Sequence, residues 1–133
     1  MYESQIPLVV KKIEGNVAKA LEKIGIYLDG EIVKNIDRYK AVDTGRLKGS
    51  IMHKVEEAAV YNGTNVDYAM YQEFGTGIYA ENGQGRQAPW AYQTAEGGWI
   101  WTRGSKPRPF LRDAYRNGGA RIREIASEEM QLE

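Results

Sequence analysis

Cysteine is absent from this chain, and histidine occurs once, as His53. Without cysteine there can be no disulfide framework, no thiolate nucleophile and no cysteine-ligated metal. A single histidine also leaves almost no room for a histidine-based metal site or for a Ser/His/Asp triad. His53 itself is interpreted as a structural or exposed strand residue. We therefore expect no catalytic or metal site built on cysteine or histidine.

Long hydrophobic runs are also missing, since the longest falls far short of the roughly 18 apolar residues that a membrane span needs. The first residues, Met1 to Gln5, lack the basic and apolar regions of a signal peptide. We expect the product to be cytoplasmic when made. Neither charge is in excess, because 18 Lys and Arg balance 18 Asp and Glu. Zero net charge argues against a general nucleic-acid binder, which is usually basic.

What is present is the composition of an ordinary globular protein. The chain has 133 residues, of which 42% are hydrophobic and 27% are charged. This length is close to the commonest domain size and is sufficient for a hydrophobic core without disulfides or metals. We expect one domain over residues 1–133.

The balanced charges are segregated along the chain. Residues 55–85 contain no Lys or Arg but five acids, whereas residues 86–112 contain five bases and one acid, Glu96. Two interpretations remain open: two solvated loops of opposite sign, or a subunit with an acidic and a basic side that stacks head-to-tail on its copies. In the second case the candidate interface residues are Glu56, Glu57, Asp67, Arg86, Arg103, Lys106, Arg108 and Arg112.

Apolar residues at steps of three and four predict one long helix over the first forty residues. The stripe runs from Ile6 to Tyr39, and Ser4 is its predicted N-cap. A helix of this length is too large for one side of a small domain. Either part of its apolar stripe meets a neighbouring subunit, or the helix breaks near Gly25 or Gly30.

The rest of the chain is divided into short elements by glycine, proline and turn residues. Strands grouped between terminal helices predict an α+β fold. In this fold a long N-terminal helix and a C-terminal helix pack on an antiparallel sheet built from hairpins, with a short middle helix. In order, the predicted elements after the first helix are a turn over 42–50, strands over 51–55 and 58–61, a helix over 65–74, a mobile loop over 77–89, strands over 90–94 and 99–102, and a helix after Pro109.

Two short motifs have catalytic or cofactor-binding counterparts. Asp43-Thr44-Gly45 matches the triplet of aspartic proteases, in which two such Asp residues share a proton and activate water. Here Arg46 follows, and its guanidinium would depress the pKa that such a dyad needs. A capped turn is favoured, and a dimeric aspartic-type hydrolase using Asp43 stays a remote alternative.

The segment 75–80 formally matches a dinucleotide fingerprint but follows a helical pattern, so it is interpreted as a helix stop and turn.

The stretch from Trp99 to Arg108 interleaves aromatic residues with Arg103 and Lys106. This is the one stretch that could stack on a nucleic-acid strand. Tryptophans on strands are more often core or interface anchors. Because Trp99 and Trp101 share one face of a strand, packing is the favoured interpretation. A single-stranded nucleic-acid-binding module is the alternative.

Three segments in order resemble one known family. They are residues 42–51 (VDTGRLKGSI), 66–77 (VDYAMYQEFGTG) and 106–114 (KPRPFLRDA). After a long N-terminal helix, this order resembles the head–tail joining and tail-completion proteins of tailed bacteriophages and prophages, the gene-ten-product-like minor structural proteins. The resemblance covers roughly residues 5–126, and the glycine-rich stretch 78–89 departs from it.

The resemblance implies a structural, non-enzymatic role in virion assembly. Such proteins sit where the capsid meets the tail and form or complete a ring, for which a hexamer is one candidate. DNA passes through this ring without sequence-specific contacts. The implied partners are copies of the chain itself, the connector or head-completion proteins, and the tail proteins. The implied locations are the host bacterial cytoplasm during assembly and the head–tail junction of the virion.

The residues that match the family's motifs are interpreted mainly as fold-makers. Gly45 and Gly75 are expected to permit backbone conformations that are closed to other residues. The matching residues are Asp43, Thr44, Gly45, Leu47, Ser50, Tyr68, Ala69, Glu73, Phe74, Gly75, Thr76, Pro107, Pro109, Phe110, Leu111 and Ala114.

Two further roles follow from the resemblance. Phe110 and Leu111 are expected to anchor the last helix on the sheet. Glu73 is expected to pair with Arg46 or with a basic residue of a neighbouring subunit.

Overall fold

The longest element is the helix α1, which covers Tyr2–Tyr39 without interruption. The computed structural model describes residues 2–41 and 44–131. At 1.5 Å per residue α1 is about 57 Å long. The predicted long helix is confirmed, but the alternative break near Gly25 or Gly30 is wrong, and Ser4 lies inside the helix rather than at its N-cap. One face of α1 is buried against the rest of the chain through Ala20, Ile24, Leu28, Ile32 and Ile36.

The two glycines in the middle of α1 have different surroundings. A Cβ added at Gly25 would lie 2.5 Å from the Cδ2 atom of His53, so glycine lets the first hairpin approach the helix closely. Gly30 faces open space, with no atom within 4 Å of the corresponding position. Gly25 is therefore required by packing, whereas Gly30 is not.

The remaining elements follow the predicted order with three differences. The segment predicted as a turn over 42–50 is helical from Thr44 onward, the middle helix is shorter than predicted, and the last helix divides at Gly118. The elements are α2 (Thr44–Ser50), β1 (Met52–Glu56), β2 (Ala59–Gly63), α3 (Ala69–Phe74), a 3₁₀ turn (Gly77–Tyr79), β3 (Trp90–Gln93), β4 (Trp99–Thr102), α4 (Phe110–Asn117) and α5 (Gly119–Glu129).

The α+β class is confirmed, but the strands form two separate antiparallel hairpins instead of one sheet. In the first hairpin Met52 lies opposite Gly63, and both strands pack on α1. In the second hairpin Trp90 lies opposite Thr102. This second hairpin has no extensive contact with any other described element. Only the first hairpin therefore belongs to the packed body.

The hydrophobic core lies between α1 and the elements that surround it. Its fully buried side chains include Leu28 and Ile32 of α1, Leu47 of α2 and Phe110 of α4. Leu111 is half-buried and packs against this core. The expectation that Phe110 and Leu111 anchor the last helix on the sheet is corrected, because α4 packs on α1. No helix in the described part of the chain, α1 included, combines the length and apolar character of a membrane span.

Candidate functional site

The second and third motifs meet at a buried carboxylate. Glu73 at the end of α3 is buried to 3% exposure. Its Oε2 atom accepts the backbone N–H of Leu111 at 3.1 Å, and its Oε1 atom accepts that of Arg112 at 2.8 Å. These two donors belong to the first turn of α4, where backbone N–H groups have no partner within the helix. Glu73 therefore caps α4 and fixes it to α3.

The side chain of Arg112 closes the same cluster. Its Nε atom donates to Oε1 of Glu73 at 3.2 Å, and its Nη1 and Nη2 atoms donate to the carboxylate of Glu81 at 2.7 and 3.0 Å. Its guanidinium also lies 4.5 Å from the centre of the Phe74 ring. Hydrogen bonding from Arg112 lowers the pKa of Glu81, and the bonds to Glu81 in turn raise the pKa of Arg112. We call Glu73, Glu81 and Arg112 the Glu73–Arg112 cluster.

Backbone contacts extend this junction along both motifs. The N–H of Thr76 donates to the carbonyl of Ser105 at 2.9 Å, and the N–H of Arg108 donates to that of Gln72 at 2.6 Å. Gly75 has a φ of 81°, and a Cβ there would lie 2.9 Å from Cδ of Pro107. Such positive φ favours glycine. The expectation for Gly75 is confirmed, because both its conformation and the approach of Pro107 require it.

The first motif has a structural place of its own. Leu47 is fully buried, Thr44 donates its hydroxyl to the carbonyl of Ala41 at 2.6 Å, and the hydroxyls of Ser50 and Thr64 lie 2.5 Å apart. Gly45 is helical with open space around it, so the expectation that its backbone is closed to other residues is wrong.

Two further residues of this motif region bear on its predicted chemistry. Arg46 lies 5.6 Å from the ring centre of Tyr68, whereas Glu73 is paired with Arg112, so the predicted contact between Glu73 and Arg46 is wrong. Asp43, the residue of the hydrolase alternative, lies outside the described residues.

The other motif residues act as packing or boundary residues. Ala69 and Ala114 are buried, Pro107 and Tyr68 are half-buried, and Pro109 directly precedes the first turn of α4. Phe74 differs from these because 43% of it is exposed.

The β3–β4 hairpin, residues 90–102, exposes aromatic side chains and is called the aromatic hairpin below. Trp99 and Trp101 are 68% and 72% exposed, and Tyr92 is 47% exposed. The register places Trp99 and Trp101 on one face and Tyr92 with Ile100 on the other. The prediction of the hairpin is confirmed. Trp99 and Trp101 are not core anchors of this chain, and the prediction that they anchor an interface stays a prediction.

A concave apolar surface lies beside the base of this hairpin. It has a volume of about 540 Å³ and is lined by Met70, Tyr71 and Phe74 of α3, by Trp90, and by the glycine-rich segment that contains Gly85. Met70 and Tyr71 are 64% and 61% exposed. We call this surface the α3 groove. The loop predicted over 77–89 forms one of its walls.

The candidate interface charges divide into paired and free side chains. Arg112 is held by the Glu73–Arg112 cluster, Arg108 donates to the Oε1 atom of Gln72 at 2.8 Å, and Glu56 pairs with Lys54. The segregated charges are thus partly neutralised inside the chain. Arg86 and Lys106 lie over the rings of Trp90 and Tyr79, respectively. The exposed candidate residues that form no ion pair among the described residues are Glu57, Asp67, Arg86, Arg103 and Lys106.

A polar network that the sequence did not reveal joins α1 to the first hairpin. The Nδ1 atom of His53 lies 2.5 Å from Oδ2 of Asp29, and its Nε2 atom lies 2.7 Å from Oε1 of Glu22. Asn62 donates to Oδ1 of Asp29 at 2.7 Å and accepts from the hydroxyl of Tyr115 at 2.7 Å. Hydrogen bonds to Asp29 and then to Glu22 raise the pKa of His53.

The signal for this network was weak. Glu22 and Asp29 are seven residues apart and therefore share one helix face. Nothing in the sequence stated that a strand would cross that face. The described residues contain no group of His, Asp and Glu side chains suited to hold a metal ion.

No protein-family model, no curated protein and no solved structure matches this chain. The resemblance therefore rests on the three sequence motifs alone.

Proposed function

We propose that this chain is a non-enzymatic structural protein of a tailed phage or prophage, located at the head–tail junction. In virion assembly it acts as a ring-forming connector or tail-completion component. The observation that carries the proposal is the Glu73–Arg112 cluster. Two motifs that are separated by 28 residues in the sequence form one continuous junction, in which Glu73 caps the helix that begins at Phe110. This supports interpreting them as parts of one family pattern.

The mechanism of such a protein is docking. Its packed body supplies a rigid frame, and its exposed apolar surfaces bind other subunits. The proposed partners are copies of itself in a ring, the connector or head-completion proteins on one side and the tail proteins on the other. DNA passes through the ring without sequence-specific contacts. The protein is made in the host bacterial cytoplasm and remains at the head–tail junction of the virion.

Deletion of the gene from the phage or prophage that carries it tests this function. We expect filled heads and complete tails that do not join, seen by electron microscopy of the lysate. Purified protein added to that lysate should restore joined particles, and mass spectrometry should detect the chain in them. Normal joined virions from the deletion strain would contradict the proposal.

Binding of a single-stranded nucleic acid is the second candidate function, and it is favoured by one observation. Trp99 and Trp101 are exposed on one face, and Arg103 follows directly. Exposed aromatic rings beside a cation are suited to base stacking. If this function holds, oligo(dT) should quench tryptophan fluorescence, and binding should weaken as salt rises. Unchanged fluorescence at low salt would exclude it.

A further inference from the structure

The aromatic hairpin is an apolar protrusion that the chain leaves uncovered. Its two strands of four residues pair only with each other and have no extensive contact with another described element. A two-stranded hairpin alone is at best marginally stable in water. Trp99, Trp101 and Ile100 nevertheless project from it with at least 45% of each residue exposed. These side chains are placed to be covered by a separate surface.

The same chain carries an uncovered recess of similar character. The α3 groove is lined mainly by apolar side chains, of which Met70 and Tyr71 are more than half exposed. The apolar area is interrupted by the polar side chains of Thr76, Asn82 and Gln84. The charged lining residues are Glu81, which Arg112 holds, and Arg86, which lies 5.5 Å from the ring centre of Trp90. An aromatic ring entering the groove would meet apolar side chains and a guanidinium, which attracts the face of an indole.

We propose that the aromatic hairpin of one copy docks in the α3 groove of the next copy. The two surfaces differ, so the contact is heterologous and every copy offers one hairpin and one groove. Contacts of this type continue from copy to copy and close into a ring when the rotation allows it. The inference deepens the proposed function and rests on it for the ring, but the contact between two copies is tested independently.

The distribution of free charges favours a second copy as the occupant. Arg103 directly follows the hairpin and has no ion pair among the described residues. Asp67 also has none, and it lines a neighbouring recess that shares Met70 and Phe74 with the α3 groove. A free cation beside the protrusion and a free anion beside the recess are complementary between copies. The net charge of zero adds no overall repulsion between them.

The exposed tryptophan face can supply the centre of such a contact. Each buried aromatic side chain contributes about 150–250 Å². Trp99 and Trp101, which share one face of the hairpin, therefore supply on the order of 300 Å². This is more than a third of the roughly 800 Å² per partner that a specific interface buries. The neighbouring backbone, Arg103 and the rim of the hairpin must supply the remainder.

Two single variants and their mixture test this contact. Trp101→Ser removes a hairpin anchor and leaves the groove intact, whereas Tyr71→Glu places a charge in the groove and leaves the hairpin intact. We expect wild-type protein to increase in mass with concentration in sedimentation velocity, while each variant alone remains a monomer. An equimolar mixture of the variants should form a one-to-one dimer, because one intact hairpin still meets one intact groove.

Tyr61→Ser is the matched control, because Tyr61 is an aromatic residue on the first hairpin that is also more than half exposed. This variant should associate like the wild type. Circular dichroism should show that all variants retain the helical content of the wild type. A wild-type chain that remains a monomer at every concentration would overturn the inference. So would association of Tyr71→Glu alone, which would mean that hairpins meet each other.

The outcome separates this inference from the proposed function. A monomeric chain that is nevertheless required for joining heads to tails would refute the contact and leave the function standing. A chain that associates as described but is absent from virions would refute the function and leave the contact standing. Quenching of Trp99 and Trp101 by oligo(dT) without self-association would identify nucleic acid as the occupant and refute the contact.

Discussion

The packed body around α1 and the aromatic hairpin differ in whether their apolar side chains are buried. In the body, Leu28, Ile32 and Phe110 are completely buried, and the helices α2, α4 and α5 contact α1. In the hairpin, Trp99 and Trp101 are the most exposed of the large hydrophobic residues in the described ranges. The first region buries its hydrophobic side chains within one chain, whereas the second leaves them exposed.

This difference assigns stability and docking to separate parts of the molecule. Removal of a large side chain from the body should destabilise the folded monomer strongly, since a cavity remains where the side chain packed. Removal of one from the hairpin should leave the monomer folded and reduce only its association. The predictions below test this separation, from the largest expected effect to the smallest.

Phe110→Ala and Trp101→Ala compare the two regions directly. We expect Phe110→Ala to lower the free energy of unfolding by about 3–5 kcal/mol, because the ring is completely buried. Trp101→Ala should change it by no more than about 0.5 kcal/mol in dilute protein. Urea unfolding followed by circular dichroism measures both. Similar losses for the two variants would show that the hairpin is part of the stable body.

Glu73→Gln and Glu81→Gln separate the buried and exposed partners of Arg112. Glu73 is buried and accepts two backbone N–H groups of α4, so we expect Glu73→Gln to lower the free energy of unfolding by about 2 kcal/mol. This is less than breaking a fully buried ion pair costs, because the Arg112 side chain is 27% exposed. Glu81→Gln should cost less, because Glu81 is exposed to solvent. Thermal unfolding of the two variants at neutral pH gives the ranking, and the reverse order would contradict the assignment of Glu73 as the cap.

Gly25→Ala and Gly30→Ala should have opposite effects. Alanine at position 25 would displace the His53 ring from α1, so we expect Gly25→Ala to lower the free energy of unfolding by about 1–2 kcal/mol. A Cβ at position 30 has no atom within 4 Å, so Gly30→Ala should raise the free energy of unfolding by about 0.5–1 kcal/mol through the higher helix propensity of alanine. Unfolding in urea measures the sign of each change. Stabilisation by both substitutions would show that the first hairpin does not lie closely on Gly25.

The smallest effect is the pH dependence that His53 contributes. Its pKa is raised above 6.5 by Asp29 and Glu22, so the folded protein binds the proton more tightly than the unfolded chain does. This contribution to stability is complete below the unfolded pKa and is lost as pH rises through the folded value. We therefore expect His53→Gln to weaken the fall in unfolding free energy as pH rises above the ordinary histidine pKa of 6.5. An unchanged profile would exclude a protonated His53 bridge.

Periodic and turn signals predicted most of the fold. The stripe of α1 and the glycine-bounded strands of the aromatic hairpin specify local structure, because their neighbours in sequence decide it. The separation of the strands into two hairpins depends on long-range packing that no local pattern encodes. The division of the last helix at Gly118 does have a local signal, because the adjacent Gly118 and Gly119 weaken a helix. Only the structure shows that a Cβ at Gly118 would lie 3.2 Å from the Tyr27 ring.

The candidate site was predictable only in part. The sequence placed Trp99 and Trp101 on one face, but face alone does not tell whether another element covers them. It placed Glu73 in a motif, but its partner is Arg112 rather than Arg46 because the end of α3 meets the start of α4. Pairings between distant residues follow from the tertiary structure and could not be deduced from charge alone.

Hydrogen–deuterium exchange measured on dilute and on assembled wild-type protein tests the central claim that the aromatic hairpin is completed only by docking. In dilute protein, the amides of residues 90–102 should exchange much faster than those of residues 24–36. On assembly, the amides of 90–102 should become protected while those of 24–36 change little. Slow exchange of the hairpin in the dilute protein, or no gain in protection on assembly, would contradict the account.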